Sequence, residues 1–112
     1  MKHKYGAKKT KVDGITFDSK AEAAYYSQLK LLKRAGVIVT LELQPTFELI
    51  PAYIHPTTGK KVRATVYKAD FRITYKDGRE EIIDVKGVRT EAYKLKKKLF
   101  EYKYRREIKE VS

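Results

Sequence analysis

Cysteine and asparagine are absent from this chain, and methionine occurs once. Without cysteine, neither disulfides nor thiolate metal sites can form, and an intracellular setting is the natural expectation. No apolar run approaches the roughly 20 residues a membrane helix needs. The start, Met1-Lys2-His3-Lys4-Tyr5, lacks the apolar core of a signal peptide. A soluble, cytoplasmic protein is therefore expected. The missing asparagine and the many Lys/Glu pairs also point, by composition alone, to a thermophilic source.

Negative charge is outnumbered. Against 26 Lys and Arg stand 14 Asp and Glu, a net charge of +12. This balance calls for a polyanionic partner. The cations are unevenly placed: Lys2, Lys4, Lys8, Lys9 and Lys11 crowd the N-terminus, while Arg89, Lys94, Lys96, Lys97, Lys98, Lys103, Arg105, Arg106 and Lys109 crowd the last quarter. DNA leads as partner, because phosphates dominate affinity for proteins of this kind. An anionic membrane surface is disfavoured, since neither basic segment carries the apolar face of an interfacial helix.

The 112 residues suit one domain with a modest core. Residues 1–11 read as a mobile basic arm, and Val12 to Phe17 as a short turn or strand. Ser19 with Glu22 three residues later forms a capping box opening a helix. Ala21, Ala24, Tyr25, Leu29 and Leu32 recur at helical spacing, and Gly36 stands at the C-terminal cap. Strands are expected over Val37–Leu43 and Thr46–Ile50, separated by Gln44-Pro45. A loop or ribbon tip follows around Pro51–Lys60, then β-pattern from Val62 to Tyr67 continuing toward Asp70. Thr90 caps a last helix to about Tyr104, with Ala92, Leu95, Leu99 and Tyr102 on one side, before a short closing strand at Glu107–Val111. The order predicts an α+β fold, sandwich-like, with a mixed sheet flanked by helices.

The segment Asp70 to Lys86 carries the chemistry. Asp77-Gly78 supplies a turn between two apolar-rich runs. A two-residue loop would set Asp84 opposite Phe71, whereas a three-residue Lys76-Asp77-Gly78 loop sets Asp70 opposite Asp84. The second register segregates the faces: Phe71, Ile73, Tyr75, Ile83 and Val85 on one, Asp70, Arg72, Thr74, Ile82, Asp84 and Lys86 on the other. Like charges directly opposite are destabilising. A fold that keeps them together has a use for a cation between them, and carboxylates suit Mg²⁺ or Mn²⁺.

Acid-x-Lys is uninformative by itself. It occurs at Asp18-Ser19-Lys20, Asp84-Val85-Lys86, Glu101-Tyr102-Lys103 and Glu107-Ile108-Lys109. Only the second lies on a strand that follows a strand bearing an acid. With Phe17-Asp18-Ser19-Lys20-Ala21-Glu22 opening a helix, Leu43-Gln44-Pro45 ending a strand, Lys68-Ala69-Asp70-Phe71, and Ile83-Asp84-Val85-Lys86-Gly87 before a basic helix, the chain resembles the PD-(D/E)XK nuclease superfamily. The likeness is to its small phage and transposon branch, related to Holliday-junction resolvases, TnsA-type transposition endonucleases and Vsr-type repair endonucleases. Ala69 replaces the proline of the family pattern, and Asp84 is the shorter of the two accepted acids.

The resemblance implies a restriction-endonuclease-like core and a Mg²⁺- or Mn²⁺-dependent DNA endonuclease, in a phage-infected or prophage-carrying bacterial host. Asp70, Asp84, Glu22 and the Val85 carbonyl would be the metal ligands, and Lys86 would hold the attacking water or the scissile phosphate. Branched DNA such as a Holliday junction is the implied substrate, for which a two-fold homodimer would be suited. For Glu22 the helix cap is an equally good explanation. Gln44 is either a contact to substrate or a buried strand-end amide. Lys8, Lys9, Arg89, Lys94, Lys97 and Lys98 are the remaining candidate DNA contacts. Tyr25, Tyr67, Tyr75 and Tyr102 fit core periodicities rather than base stacking, and His3 and His55 lack paired ligand spacing. The alternative is a non-catalytic nucleic-acid-binding module on the same scaffold.

Overall fold

A computed structural model describes residues 8–86 and 88–112. Strand β1 (Thr10–Val12) pairs antiparallel with β2 (Ile15–Phe17) across an Asp13-Gly14 turn. The Asp13 carboxylate accepts from Tyr26 Oη at 3.1 Å and Lys30 Nζ at 2.9 Å, which pins this hairpin to the following helix. Thr10 and Lys11, expected in the basic arm, belong instead to β1; residues 1–7 lie outside the described residues.

Helix α1 (Lys20–Arg34) begins where the Ser19 hydroxyl accepts the Glu22 N–H at 3.0 Å. It stops at Gly36, whose φ of +80° permits the Val37 N–H to reach the Leu32 carbonyl and the Gly36 N–H that of Lys33. Its buried face is Glu22, Ala23, Tyr26 and Leu29; Ala21 and Ala24 are exposed and Leu32 is at the margin. The apolar periodicity points one position away because Ala23-Ala24 and Tyr25-Tyr26 are adjacent like pairs and the true inward stripe includes the carboxylate of Glu22.

Strands β3 (Ile38–Leu43), β4 (Thr46–Ile50) and β5 (Tyr53–Ile54) form one arm of a long bent ribbon. Strands β6 (Lys61–Val62), β7 (Thr65–Lys68) and β8 (Phe71–Tyr75) form the other. β3 pairs with β8, β4 with β7 and β5 with β6, all antiparallel. The ladder continues through the bend: the Gln44 N–H donates to the Asp70 carbonyl and the Ala69 N–H to the Pro45 carbonyl. The expected run from Val62 into the Asp70 strand is therefore broken at Ala69-Asp70. Gln44 sits there at φ +52° and is exposed, not a buried amide.

Strand β9 (Glu80–Val85) returns antiparallel to β8 through the three-residue loop, closed by Gly78 at φ +93°. Phe71 faces Ile83 and Arg72 faces Ile82, and the paired register ends there; Asp70 lies in the bend just before β8, where its N–H donates to the Ile83 carbonyl at 3.1 Å. Helix α2 (Glu91–Tyr104), capped by the Thr90 hydroxyl, crosses to β10 (Ile108–Val111), which pairs parallel with β9. The result is a four-stranded mixed sheet in the order β10-β9-β8-β3, and the fold is α+β. Among the described residues no helix is long and apolar enough to cross a membrane.

The two sheet faces have separate cores. Phe71, Ile73 and Ile83 pack with Phe17, Ala23, Tyr26, Leu29 and Ile38 under α1. Ile82 and Ile108 pack with Tyr67, Leu49, Tyr93 and Phe100 under α2 and the β4–β7 ribbon. On α2 the inward residues are Tyr93 and Phe100, with Leu99 and Tyr104 beside them. Ala92, Leu95 and Tyr102 point outward, Tyr102 at 71% exposure. Phe100 carries this core as an aromatic hub, with ring centroids 4.9 Å from Phe47, 5.1 Å from Tyr104 and 5.5 Å from Tyr67.

Candidate active site

The strand alternation that gives each face its core also decides where the acids go. Ile83 and Val85 turn toward α1, so Asp84 turns with Ile82 toward α2 and is only 1% exposed. An ionised carboxylate so deeply buried needs partners. Tyr67, reaching across from β7, donates its hydroxyl to Oδ2 in a short hydrogen bond. Lys86, two residues along β9, brings its ammonium 2.9 Å from Oδ1. That approach lies off the directions in which Oδ1 accepts, leaving the oxygen charge-paired but without an aligned donor.

Asp70 occupies the ribbon bend, where its Oδ2 accepts the Val85 N–H at 2.7 Å. Burial, with the nearby charges of Asp84 and Glu22, pushes its carboxyl up to about 8 despite that bond. Glu22 enters from α1 on the opposite face. Its carboxyl is raised chiefly by burial, then by the Asp18 and Asp84 charges. The Ser19 cap holds the Glu22 backbone, while the Glu22 carboxyl turns inward between the Asp18 backbone and Asp70. One of the three acids comes from a strand, one from the bend beside it and one from the first turn of a helix.

The remaining expected contacts fall on either side of these acids. Lys9 pairs at 3.5 Å with Asp18, whose charge bears on Glu22, and Lys8 is exposed beside it. Arg89, Lys94, Lys97 and Lys98 line one cleft of about 320 Å³ with Tyr93, Glu101 and Glu110. Most of these cations are already partnered: Arg89 with Glu110, Lys94 with Glu91 and Lys97 with Glu101. Lys98 has no carboxylate partner among the described residues. Tyr93 joins the cleft to the acids, since its ring lies 4.3 Å below the Lys86 ammonium and its hydroxyl donates to Glu110 at 2.7 Å. Gln44 is placed directly across the ladder from Asp70.

Tyr67 and Tyr93 are the site residues that sequence reasoning missed as such. Both are buried, and burial together with hydrogen bonds to Asp84 and Glu110 respectively raises each phenol. Tyr67 was expected only in the core. Its second role depends on the bend at Asp70 bringing β7 over β9, which strand periodicity does not encode.

Among the described residues no three Asp, Glu or His side chains are gathered as a ready ligand group. Lys86 and Tyr67 engage Asp84, and the Val85 N–H engages Asp70. The residue chemistry nevertheless fits a hard cation. Asp84 Oδ1 is buried without an aligned donor, and two further carboxyls lie close enough for their charges to be felt.

A pH dependence follows from Asp70. Its carboxyl moves from the usual 3.8 in the unfolded chain to about 8 when folded. Between those values the folded chain keeps a proton that the unfolded chain has lost, so stability falls as pH rises from about 4 to 8 and then levels. In EDTA the wild-type melting temperature should decline over this interval. Asp70→Asn should flatten the decline and be more stable than wild type at pH 8 by roughly 1–3 kcal/mol. Parallel profiles for the two proteins would show that Asp70 is not buried among acids.

No curated protein and no solved structure matches this chain. A family model does match it, over residues 2–111, and the chain belongs to the family described as "Protein of unknown function (DUF1064)".

Proposed function

We propose that this chain is a divalent-metal-dependent DNA endonuclease of restriction-endonuclease-like type, hydrolysing phosphodiester bonds with a preference for branched DNA such as four-way junctions. The observation that carries the reading is the burial of the Asp70 carboxyl beside that of Asp84, with Lys86 against Asp84 and Glu22 arriving from α1. A structural role alone offers no reason to bury neighbouring carboxylates.

Asp70, Asp84, Glu22 and the Val85 carbonyl would hold Mg²⁺ or Mn²⁺. A bound ion of this kind supplies charge neutralisation at the phosphate and lowers the pKa of a coordinated water. Lys86 offers a compact positive charge to the phosphate or a hydrogen bond to the nucleophile. Tyr93 holds the Lys86 stem in place, and Tyr67 orients Asp84. Arg89, Lys94, Lys97 and Lys98 on one side and Lys8, Lys9 and Gln44 on the other receive the DNA backbone. Cytoplasmic action on phage or host DNA, as a homodimer on four-way substrates, completes the proposal.

One observation favours the non-catalytic alternative: Lys86 and Tyr67 already neutralise Asp84 without a metal. Plasmid nicking separates the two readings. With Mg²⁺ the full chain should nick supercoiled DNA, and Asp70→Asn or Asp84→Asn should each slow nicking by about 10³-fold. Both variants should still bind DNA within about threefold of wild type. Nicking that survives either substitution, or that never occurs, leaves only the binding module.

A further inference from the structure

From residue 50 to residue 66 no side chain is buried, although the segment is not irregular. It is the outer end of the bent ribbon, where Tyr53 pairs with Val62 and Ile54 with Lys61. Its tip is built to a fixed shape. The His55 N–H donates to the Lys60 carbonyl at 2.8 Å and the Gly59 N–H to the His55 carbonyl at 2.9 Å. His55 Nδ1 accepts from the Thr57 and Thr58 N–H groups. The ribbon leaves the body just beyond Glu48, whose carbonyl is held by Lys103 Nζ and Tyr104 Oη. A radius of gyration of 16.4 Å exceeds the roughly 13 Å of a compact chain this long.

An isolated two-stranded ribbon is marginal in water. This one nevertheless exposes Ile50 at 41%, Tyr53 at 48%, Ile54 at 62% and Val66 at 38%. Its charge is of one sign: Lys60, Lys61, Arg63 and Lys68 lie between Leu49 and Ala69 with no acid among them. Its edges resist strand addition, because Pro51 and Pro56 lack N–H groups and Lys60 and Lys61 add repulsion. A second copy of the chain is thus poorly suited to pair with it, while a polyanion is well suited.

We propose that residues 50–66 form a groove-binding arm for duplex DNA, with Lys60, Lys61 and Arg63 on the phosphates and one face of the ribbon, bearing either Tyr53 or Ile54 because the two alternate, against the groove interior. The inference rests on the DNA reading above and adds a second contact, remote from the carboxylates. A B-form major groove about 12 Å wide admits a two-stranded ribbon. The deep, narrow groove of A-form RNA does not. Roughly 17 Å of ribbon beyond Leu49 gives it the reach.

The test is duplex binding by the full chain in EDTA, read as Kd across a salt series, alongside light scattering for mass. Lys60→Ala/Lys61→Ala/Arg63→Ala should weaken binding at least tenfold at low salt and reduce the salt slope by about 2–3. Tyr53→Ser/Ile54→Ser should weaken binding with little change of slope. Unchanged affinity and slope in the triple variant would overturn the proposal. So would a dimer of the wild type that becomes a monomer in the Tyr53/Ile54 variant with DNA binding intact, since a second copy would then be the occupant. Adding Mg²⁺ keeps the two ideas apart. Asp84-dependent nicking with an irrelevant ribbon sinks only the arm, whereas ribbon-dependent binding without nicking by any variant sinks only the nuclease.

Discussion

Lys86→Met is expected to cost about 3–5 kcal/mol of stability, the largest effect of any single change at the site. Asp84 is 1% exposed, and Lys86 is its only salt-bridge cation among the described residues. Removing the ammonium leaves a buried carboxylate with no cation, held by the Tyr67 hydroxyl and beside the Asp70 carboxyl. Methionine keeps an apolar stem over the Tyr93 ring, so the loss reports charge rather than packing. Urea unfolding with and without Mg²⁺ measures it. On the proposed function, Mg²⁺ should restore part of the loss by placing another cation at Asp84. A cost below about 1 kcal/mol would mean that the pair is effectively solvated.

Phe100→Ala should be comparably damaging, at about 3–5 kcal/mol. Phe100 is fully buried and touches rings from β4, β7 and its own helix. Its loss opens a cavity directly behind Tyr67, and therefore behind the hydroxyl that orients Asp84. The urea midpoint should fall with the m-value unchanged. Phe100→Leu should recover much of the stability. If Phe100→Ala costs under 1 kcal/mol, α2 is not anchored to the ribbon as described.

The hairpin was legible in the sequence because its information is local. Gly78 fixes the loop length, the loop fixes the register, and the register sets Phe71 against Ile83, which leaves Asp70 and Asp84 as neighbours at the end of the ladder. The α1 limits were legible for the same reason, Ser19 and Gly36 being chemical punctuation. The helix faces were not. Tyr26 on α1 and Tyr93 on α2 face inward, while Leu32, Leu95 and Tyr102 face outward. Hydropathy cannot rank a tyrosine that buries its ring and bonds its hydroxyl. The ribbon bend escaped notice for a related reason. Gln44 adopts φ +52°, a left-handed conformation that a non-glycine residue takes rarely and without advance signal. That single bend separates β7 from β8 and carries Tyr67 to Asp84.

The most direct measurement compares wild type with Asp84→Ala on labelled four-way junction, nicked duplex, linear duplex and single strand, each with Mg²⁺ and with EDTA. The account predicts cleavage that requires both Mg²⁺ and Asp84, fastest on the junction. Tight binding with no cleavage of any substrate, or cleavage indifferent to Asp84, would contradict it.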